Sequence, residues 1–330
     1  MNKDLQKTIH YTTNAEKICN NLIKYIPNDV KLIEPFFGDG DLFNLFPNHL
    51  WEKYDIKEKE NVILQDTLLN PPEYNGKWVI TNPPYLAKNK AQDKNIFNKY
   101  GADDLYKISL LTMLESEGGI LIIPTNFLTD EKTGNIRNQF LDQFEILEMN
   151  VFTEPVFETT TYSVCSFAFK RKNKSKTLQT FTINIFPKNE QVKISIYPEY
   201  NYRLAGEFYN SLENTKVIFG RLTREKSNDY ITNIKLYGLD TRTERIRVEF
   251  EPNHYYGKES DRIYATFTCK KELSEKQEKE LVLEFNKQLE EFRKQYSDLS
   301  MTNYRDYNRK RIGFTFAYQL LSKIYSEKYE

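Results

Sequence analysis

The chain contains few of the residues from which metal centres and disulfide frameworks are built. Its 330 residues include three histidines and three cysteines, and Cys19, Cys165 and Cys269 are scattered without a CxxC spacing. We therefore expect no metal site and no disulfide framework, in keeping with a reducing cytosol. So few histidines also argue against chemistry built on a histidine base.

Long hydrophobic runs are missing as well. No stretch of about 18 apolar residues occurs, so the sequence predicts no membrane span. Residues 1–6 contain no apolar signal region, which predicts a cytoplasmic protein, or one in the host cell if it is virus-encoded. Hydrophobic residues make up 39% of the chain and charged residues 28%, as in globular proteins, and the length allows two domains.

The whole chain has no net charge, but its halves differ. Residues 1–170 contain 17 Lys and Arg against 24 Asp and Glu, whereas residues 171–330 contain 30 against 23. Chance alone produces imbalances of about seven charges in halves of this size. The split is therefore a weak indication that the basic half binds a polyanion.

What the sequence does contain is a short apolar strand followed by Asn82-Pro83-Pro84-Tyr85. Two consecutive prolines cannot donate ladder hydrogen bonds, so a strand over residues 77–80 must end here and an extended loop begin. The Asn82 carboxamide and the Pro83 carbonyl offer two hydrogen-bond acceptors beside the ring of Tyr85. This combination suits a planar group that bears an amino group, such as a nucleobase.

Earlier strands end in acidic residues. The strand over residues 30–34 leads into a glycine-containing turn, residues 36–40, and then a predicted helix, which together are typical of the first unit of a doubly wound sheet. Strands over residues 50–55 and 61–66 follow. Because the carboxyl ends of parallel strands share one edge, we expect one cleft to be lined by Glu34, Asp55, Asp66 and Asn82.

The rest of the chain contains further elements and a possible boundary. A helix is predicted over residues 104–114, ended by Glu117-Gly118-Gly119, and strands over residues 120–124, 144–150 and 162–169. The basic run at residues 170–176 predicts a domain boundary. Alternating residues 178–197 predict a β-hairpin.

These motifs resemble those of the S-adenosylmethionine-dependent amino-methyltransferases, in particular the DNA adenine-N6 methyltransferases of type II modification systems. The resemblance covers roughly residues 10–170. It implies a Rossmann-like α/β methyltransferase domain with a mixed sheet over residues 1–170, and a C-terminal α+β target-recognition domain over residues 171–330. It also implies S-adenosylmethionine as cofactor and double-stranded DNA as partner.

The resemblance assigns roles to individual residues. Asn82, Pro83, Pro84 and Tyr85 match the catalytic motif, and Tyr85 and Phe157 would stack on the target base. The cofactor-binding positions are matched by Thr12, Thr13, Glu34, Pro35, Phe36, Gly38, Gly40, Asp55, Ile56, Asp66, Thr67 and Asn82. Within this set, Glu34 would face the methionine amino group, Asp55 the ribose and Asp66 the cofactor adenine.

The resulting hypothesis is an enzyme that methylates N6 of a flipped-out adenine in a specific duplex sequence. It would protect DNA from a cognate restriction endonuclease without a stable complex between the two. Alternatives are an RNA adenine-N6 or protein glutamine methyltransferase, and a non-catalytic subunit that binds S-adenosylmethionine and nucleic acid. The candidate DNA contacts of the basic half are Arg221, Arg224, Arg305, Arg309 and Arg311.

Overall fold

A computed structural model of the chain describes residues 14–157, 163–223, 229–257, 261–304 and 308–330. The chain divides into two compact units, of which the first ends at Leu204 and the second begins at Ala205. Among the described residues, no helix is both long and apolar enough to cross a bilayer. All three cysteines are buried and free.

Nine strands of the described chain form the sheet of the first unit. They are β1 (Lys31–Glu34), β2 (Leu50–Asp55), β3 (Ile63–Leu64), β4 (Lys77–Thr81), β5 (Gly118–Pro124), β6 (Phe144–Phe152), β7 (Val164–Arg171), β8 (Gln179–Phe186) and β9 (Glu190–Ile196). Their order is β3-β2-β1-β4-β5-β7-β6-β8-β9. Neighbours from β3 to β5 pair in parallel, whereas β7 is antiparallel to both β5 and β6. The predicted Rossmann-like α/β fold with a mixed sheet is confirmed.

The central strands form from continuous apolar runs. Val79 and Ile80 in β4 and the four residues 120–123 in β5 are completely buried. Such runs are required where helices or loops cover a parallel sheet on both faces. Because β1 pairs in parallel with both β2 and β4, these three strands end at the same edge of the sheet, at or directly before Glu34, Asp55 and Asn82.

The helices of the first unit are short. They are α1 (Ala15–Cys19), α2 (Asn95–Tyr100), α3 (Leu105–Thr112) and α4 (Gly134–Gln143). The helix expected after the glycine turn is replaced by a single 3₁₀ turn, Phe43–Leu45. Pro47 accounts for the difference, because it removes a backbone donor and disfavours the helical conformation at Phe46, whose φ and ψ are −133° and 60°.

The first unit extends beyond the boundary that the basic run predicts. The sequence places residues 171–204 in the second domain, but β8 pairs in parallel with β6 and joins the same sheet. Strands β8 and β9 form the predicted hairpin around residues 187–189. The basic run is thus a connection between β7 and β8, and the units separate at residues 204 and 205.

The second unit has α+β architecture, as predicted. Its four-stranded antiparallel sheet has the order β10-β13-β11-β12, and a separate pair of strands, β14 and β15, follows α6. The elements are α5 (Gly206–Glu213), β10 (Phe219–Arg221), β11 (Tyr230–Tyr237), β12 (Arg247–Phe250), β13 (Tyr264–Cys269), α6 (Glu275–Gln295), β14 (Thr302–Asn303), β15 (Lys310–Arg311) and α7 (Phe314–Tyr329). Buried Leu281, Phe285, Leu289 and Phe292 recur along one face of α6 and form a core with α7 and the sheet.

Candidate active site

A pocket lies at the carboxyl edge of β1, β2 and β4 in the first unit. It is lined by Pro35, Phe36, Phe37, Gly38, Asp39, Gly40, Asp41, Leu42, Asp55, Ile56, Lys57, Asp66, Thr67, Leu68, Asn82, Pro83 and Pro84. This set contains every described residue of the predicted cofactor site except Glu34. Thr12 and Thr13 lie outside the described residues, so their role stays a prediction.

The glycine turn after β1 forms one wall of this pocket. Gly38 and Gly40 have φ angles of +57° and +87°, in the left-handed region that residues with a Cβ adopt rarely. A Cβ on Gly40 would also lie 2.8 Å from Cζ of Phe37. Position 40 therefore favours glycine chiefly for its backbone angle, since a Cβ here would also require the Phe37 ring to shift.

Asp55 fixes the shape of the glycine turn. Its Oδ2 accepts a hydrogen bond from the Gly38 amide at 3.0 Å, and its Oδ1 accepts one from the Lys57 amide at 2.8 Å. Lys59 Nζ lies 3.3 Å from Oδ2. Oδ2 thus already has two partners, whereas the second lone pair of Oδ1 can accept a hydroxyl group from a ligand in the pocket.

The loop after β3 is tied to the loop after β1. Thr67 donates its hydroxyl to the Pro35 carbonyl at 2.9 Å. Asp66 Oδ1 accepts hydrogen bonds from the amides of Leu68 and Leu69, at 3.1 and 3.2 Å. These bonds hold Asp66 in place with a second carboxylate oxygen available for an amino group in the pocket.

The catalytic motif predicted from sequence follows β4 directly. Pro83 and Pro84 are buried, and the side chain of Asn82 is half-buried at the pocket wall. Tyr85 is 5% exposed, and its hydroxyl lies 2.5 Å from Asn82 Oδ1 and 2.7 Å from the Ile122 carbonyl. Its ring packs edge-on against Tyr106, with the centroids 6.3 Å apart. The structure thus brings Asn82, Pro83 and Tyr85 together.

Glu34 lies away from the pocket lining. Its Oε1 accepts hydrogen bonds from the Phe36 amide at 3.2 Å and from the Thr81 hydroxyl. Burial raises the pKa of this carboxyl well above its usual value. In this structure Glu34 joins the ends of β1 and β4, and its contact with the methionine amino group stays a prediction.

Phe157, the second predicted stacking residue, and the described candidate DNA-binding arginines lie outside the pocket lining. Phe157 is 4% exposed in the first unit. In the second unit, the Arg221 guanidinium donates to the Asp261 carbonyl and lies 4.7 Å from the Phe314 ring centroid. Arg311 is the second residue of β15, and Arg309 directly precedes that strand. Arg224 and Arg305 lie outside the described residues.

Asp104 is a residue of this site that sequence reasoning missed. The N-cap of α3 is visible in the sequence, but its contact with the catalytic loop is not. Asp104 Oδ1 accepts the Leu86 amide, immediately after Tyr85, at 3.1 Å and the Tyr106 amide at 3.4 Å. The carboxylate therefore joins the loop that carries the predicted catalytic motif to α3. Burial raises the pKa of Asp104 to about 6.

Replacing Asp104 tests this connection. Because the folded-state pKa of about 6 exceeds the unfolded value of about 3.9, the folded protein binds a proton more tightly. Unfolding free energy should therefore fall as the pH rises from about 4 to about 6, by about 1–3 kcal/mol. In Asp104→Asn this contribution should vanish, because the amide still accepts both N–H groups but does not ionise. Chemical unfolding across this pH range measures the difference.

Asp104→Ala provides the contrast. It removes the acceptor for both amides, and we expect it to lose about 1–2 kcal/mol of stability below pH 4, where Asp104→Asn and the wild-type protein should agree. Equal stability of the alanine and asparagine variants would contradict a role for Asp104 in holding the loop.

The pocket has the chemistry to bind S-adenosylmethionine, whose sulfonium and ammonium groups are cationic. Four carboxylates line it: Asp39, Asp41, Asp55 and Asp66. Burial and the charge of Asp39 raise the pKa of Asp41. The glycine turn leaves room for a ligand beside the backbone, and Ile56 and Leu68 add apolar surface to the pocket lining.

Comparison with known proteins places the chain in a family. The model of the N-6 DNA methylase family matches residues 53–246, more than half of the chain. No curated protein matches the chain significantly. The solved structures include a modification subunit of a type I restriction enzyme from Vibrio vulnificus, with 12% identity over 63% of this chain and 52% of that one, and a TM-score of 0.45.

Two further solved structures are similar at the same level. The methyltransferase subunit of a type I restriction-modification system from Streptococcus thermophilus has 16% identity over 53% of this chain and 47% of that one, with a TM-score of 0.41. A class I S-adenosylmethionine-dependent methyltransferase from Listeria monocytogenes has 13% identity over 52% of this chain and 61% of that one, with a TM-score of 0.39.

The chain spans about half the length of the two restriction-system proteins, 52% and 47%. The family model extends from β2 through the catalytic loop and into the second unit. The chain therefore belongs to the N-6 DNA methylase family, with S-adenosylmethionine as the methyl donor.

Proposed function

We propose that the chain transfers a methyl group from S-adenosylmethionine to N6 of an adenine within a specific sequence of duplex DNA. One observation carries the proposal: Asn82 and Pro83 directly follow β4 and line the pocket that the glycine turn shapes. Membership of the N-6 DNA methylase family supports DNA as the substrate and the adenine amino group as the acceptor.

The chemistry follows from the two acceptors. The lone pair of an adenine amino group is delocalised into the ring, so the nitrogen is a poor nucleophile. Asn82 Oδ1 and the Pro83 carbonyl accept the two N–H groups and favour a tetrahedral nitrogen with its lone pair toward the methyl group. They also stabilise the positive charge that develops on this nitrogen, and no base is needed before attack.

The adenine must leave the duplex to reach these acceptors. Flipping a base out costs a few kcal/mol, and stacking on aromatic rings returns roughly 1–3 kcal/mol for each base. Tyr85 and Phe157 are the proposed stacking partners. Both rings are almost fully buried in this structure, so DNA binding must uncover one face of each ring.

Two substitutions of Tyr85 distinguish the contribution of its ring from that of its hydroxyl. The hydroxyl has one proton and two acceptors within reach, Asn82 Oδ1 and the Ile122 carbonyl. Tyr85→Phe leaves Asn82 free for the base, so we expect kcat/KM to stay within about threefold of wild type or to rise. Tyr85→Ala removes the stacking surface and should lower kcat/KM by about 5- to 150-fold.

Steady-state methyl transfer to DNA measures both variants, and thermal unfolding shows whether each is folded at the assay temperature. The control is needed because removing a buried aromatic ring destabilises a protein by about 3–5 kcal/mol. A Tyr85→Phe variant as slow as a folded Tyr85→Ala variant would show that the hydroxyl, and not the ring, is required.

The two units then have separate roles in the proposal. The first unit binds the cofactor and carries out transfer, and the second unit recognises the target sequence. Methylation would protect DNA from a cognate restriction endonuclease that acts without a stable complex. The basic composition of the second half supports DNA binding there.

One experiment tests the proposal. The protein is incubated with methyl-labelled S-adenosylmethionine and, separately, with duplex DNA, RNA or a protein mixture, and each product is digested to identify the labelled residue. We expect label in N6-methyladenine from DNA. Label in RNA adenine or in glutamine would show that the substrate is RNA or protein and not DNA. Cofactor binding without transfer would indicate a non-catalytic subunit.

A further inference from the structure

Asp41 lies where the cofactor pocket meets a second cavity of the first unit. Of the residues that the structure describes, it is the only one that lines both cavities. The second cavity is bordered by α1 and by the 3₁₀ turn at residues 43–45, and its lining includes the polar side chains of Asn14, Lys17, Asn20 and Asn44. A ligand that extends from the cofactor pocket into this cavity therefore passes Asp41.

The order of the strands indicates which part of the cofactor lies near Asp41. Strands β3, β2, β1 and β4 are neighbours in this order, and they are followed by Asp66, Asp55 or its loop, the glycine turn and Asn82. The predicted contacts place the adenine ring at Asp66 and the ribose at Asp55. The amino-acid end of the cofactor then comes to the glycine turn, which Asp41 directly follows.

The backbone on both sides of Asp41 is held in place. The Gly40 carbonyl accepts a hydrogen bond from the Asn44 amide at 3.3 Å, and the Leu42 carbonyl accepts one from the Leu45 amide at 3.2 Å. Leu42 is buried, whereas Asp41 itself is half-buried. The turn that shapes the cofactor pocket therefore also sets the position of Asp41.

Glu34, which the family resemblance assigns to the methionine amino group, is poorly placed for this contact. Its side chain is 1% exposed and lies outside the pocket lining. The Phe36 amide and the Thr81 hydroxyl both donate to its Oε1. Burial raises the pKa of Glu34 and so favours a neutral carboxyl, which forms no ion pair with an ammonium group. Another carboxylate is better suited to this role.

The four aspartates of the pocket lining differ in their surroundings. Asp55 binds the glycine turn and Lys59, and Asp66 binds two amides of its own loop. The exposed carboxylate of Asp39 lies 3.9 Å from Lys59 Nζ. Burial and the charge of Asp39 raise the pKa of Asp41, so a cationic ligand beside Asp41 would offset both effects.

We propose that Asp41 binds the ammonium group in the methionine part of S-adenosylmethionine. An ammonium group donates charge-assisted hydrogen bonds to a carboxylate, whereas the sulfonium group has no N–H to donate. The carboxylate of the cofactor then extends past Asp41 toward Lys17 and the amide groups of the second cavity, which can donate to it. The inference concerns the cofactor and holds whichever substrate receives the methyl group.

Calorimetric titration with three ligands, in the absence of DNA, tests this contact. S-adenosylmethionine has both an ammonium and a sulfonium group, S-adenosylhomocysteine keeps only the ammonium group, and methylthioadenosine lacks the whole amino-acid part. Asp41→Asn removes the charge at nearly constant size. It should weaken binding of the first two ligands by the same factor, about tenfold or more, and leave the affinity for methylthioadenosine at the wild-type value.

Two further variants serve as controls. Asp39→Asn removes a charge from an exposed position of the same turn and should change each affinity by less than about fivefold. Asp41→Glu keeps the charge and should bind both amino-acid ligands more tightly than Asp41→Asn. Thermal unfolding without ligand shows that each variant is folded at the temperature of the titration.

The three ligands distinguish the ways in which the proposal can fail. Weaker binding of S-adenosylmethionine alone would assign Asp41 to the sulfonium group, and equal losses for all three ligands would mean that Asp41 only shapes the pocket. Unchanged affinities in Asp41→Asn would also overturn the proposal. Glu34→Gln would then be expected to weaken the two amino-acid ligands instead.

Failure of the proposed function gives a different result. A wild-type protein that binds S-adenosylmethionine but does not methylate DNA would overturn the proposed function. The role of Asp41 would stand in that case if Asp41→Asn weakened binding of the two amino-acid ligands alone.

Discussion

Replacing Asn82 with alanine should lower kcat for methyl transfer to DNA by about 10²–10³-fold. The change removes one of the two acceptors that stabilise charge on the attacking nitrogen, and losing one such preorganised group in other enzymes costs about 2.7–4 kcal/mol of transition-state stabilisation. Single-turnover transfer with saturating DNA and cofactor measures the effect on the chemical step without contributions from product release.

The loss of activity can be assigned to the missing acceptor only if the variant keeps an intact cofactor pocket. Asn82 lines the pocket beside Asp55, Asp66 and the glycine turn, which stay in place, so S-adenosylmethionine should still bind. Asn75→Ala, on the exposed loop before β4, removes the same side chain at the opposite end of the strand and should transfer at the wild-type rate. Loss of cofactor binding in Asn82→Ala would mean that the loop has been assigned the wrong role.

A second substitution tests the acceptor itself. Asn82→Asp keeps the size of the side chain and an oxygen that accepts an N–H group, so it should retain more activity than alanine. If Asn82→Asp and Asn82→Ala lose the same activity while both remain folded, acceptance of the amino group by position 82 is not what the enzyme requires. A wild-type rate in Asn82→Ala would exclude the proposed mechanism outright.

Much of the first unit could be predicted because its signals are local. The apolar run at residues 79–80 and the prolines after Asn82 fix both the strand and its end, since proline cannot continue a central ladder. The strand over residues 50–55 has the same bounds in sequence and structure. Strand ends mark the cleft because parallel strands share an edge, and this geometry depends on topology alone.

Other features depend on partners distant in sequence. Strand β8 joins the sheet through parallel pairing with β6, and no local pattern shows which strand it will meet. The sequence therefore separates the domains at the polar run before β8 instead of at residue 204. The position of Glu34 was also not predictable from the sequence. Its strand β1 is buried on both faces, so polar and apolar residues do not alternate along it, and the sequence does not show to which side the Glu34 side chain points.

The pair Gly118-Gly119 was assigned the wrong role by the sequence reasoning for a related reason. Glycines after a helix usually end it, but these two belong to β5. A Cβ on Gly119 would lie 1.8 Å from the carbonyl oxygen of Val79 in β4, and the φ angle of Gly119 is +155°. The glycine therefore permits a backbone approach between the strand that leads to Asn82 and its neighbour, which only the folded sheet shows.

Gly119→Ala should consequently be among the most damaging single substitutions in the first unit. The new methyl group meets backbone on a fully buried strand, and neither β4 nor β5 can move without disturbing the ladder on its other side. We expect a loss of more than about 3 kcal/mol in unfolding free energy, since overpacking in a core typically costs 1–3 kcal/mol and backbone strain adds about 1–3. Thermal or chemical unfolding measures this loss.

Gly76→Ala is the matched control, because Gly76 has a positive φ of +71° but no atom within 4 Å of its Cβ position. It carries the cost of the backbone angle alone, about 1 kcal/mol, and should leave methyl transfer intact. If the two variants lose the same free energy of unfolding, the close approach of β4 and β5 is not what makes a side chain at position 119 costly. If Gly119→Ala is much less stable than Gly76→Ala but still folds at low temperature, its methyl transfer can be measured there. We expect its kcat to fall more than its cofactor affinity, because the displaced strand β4 is the one that positions Asn82.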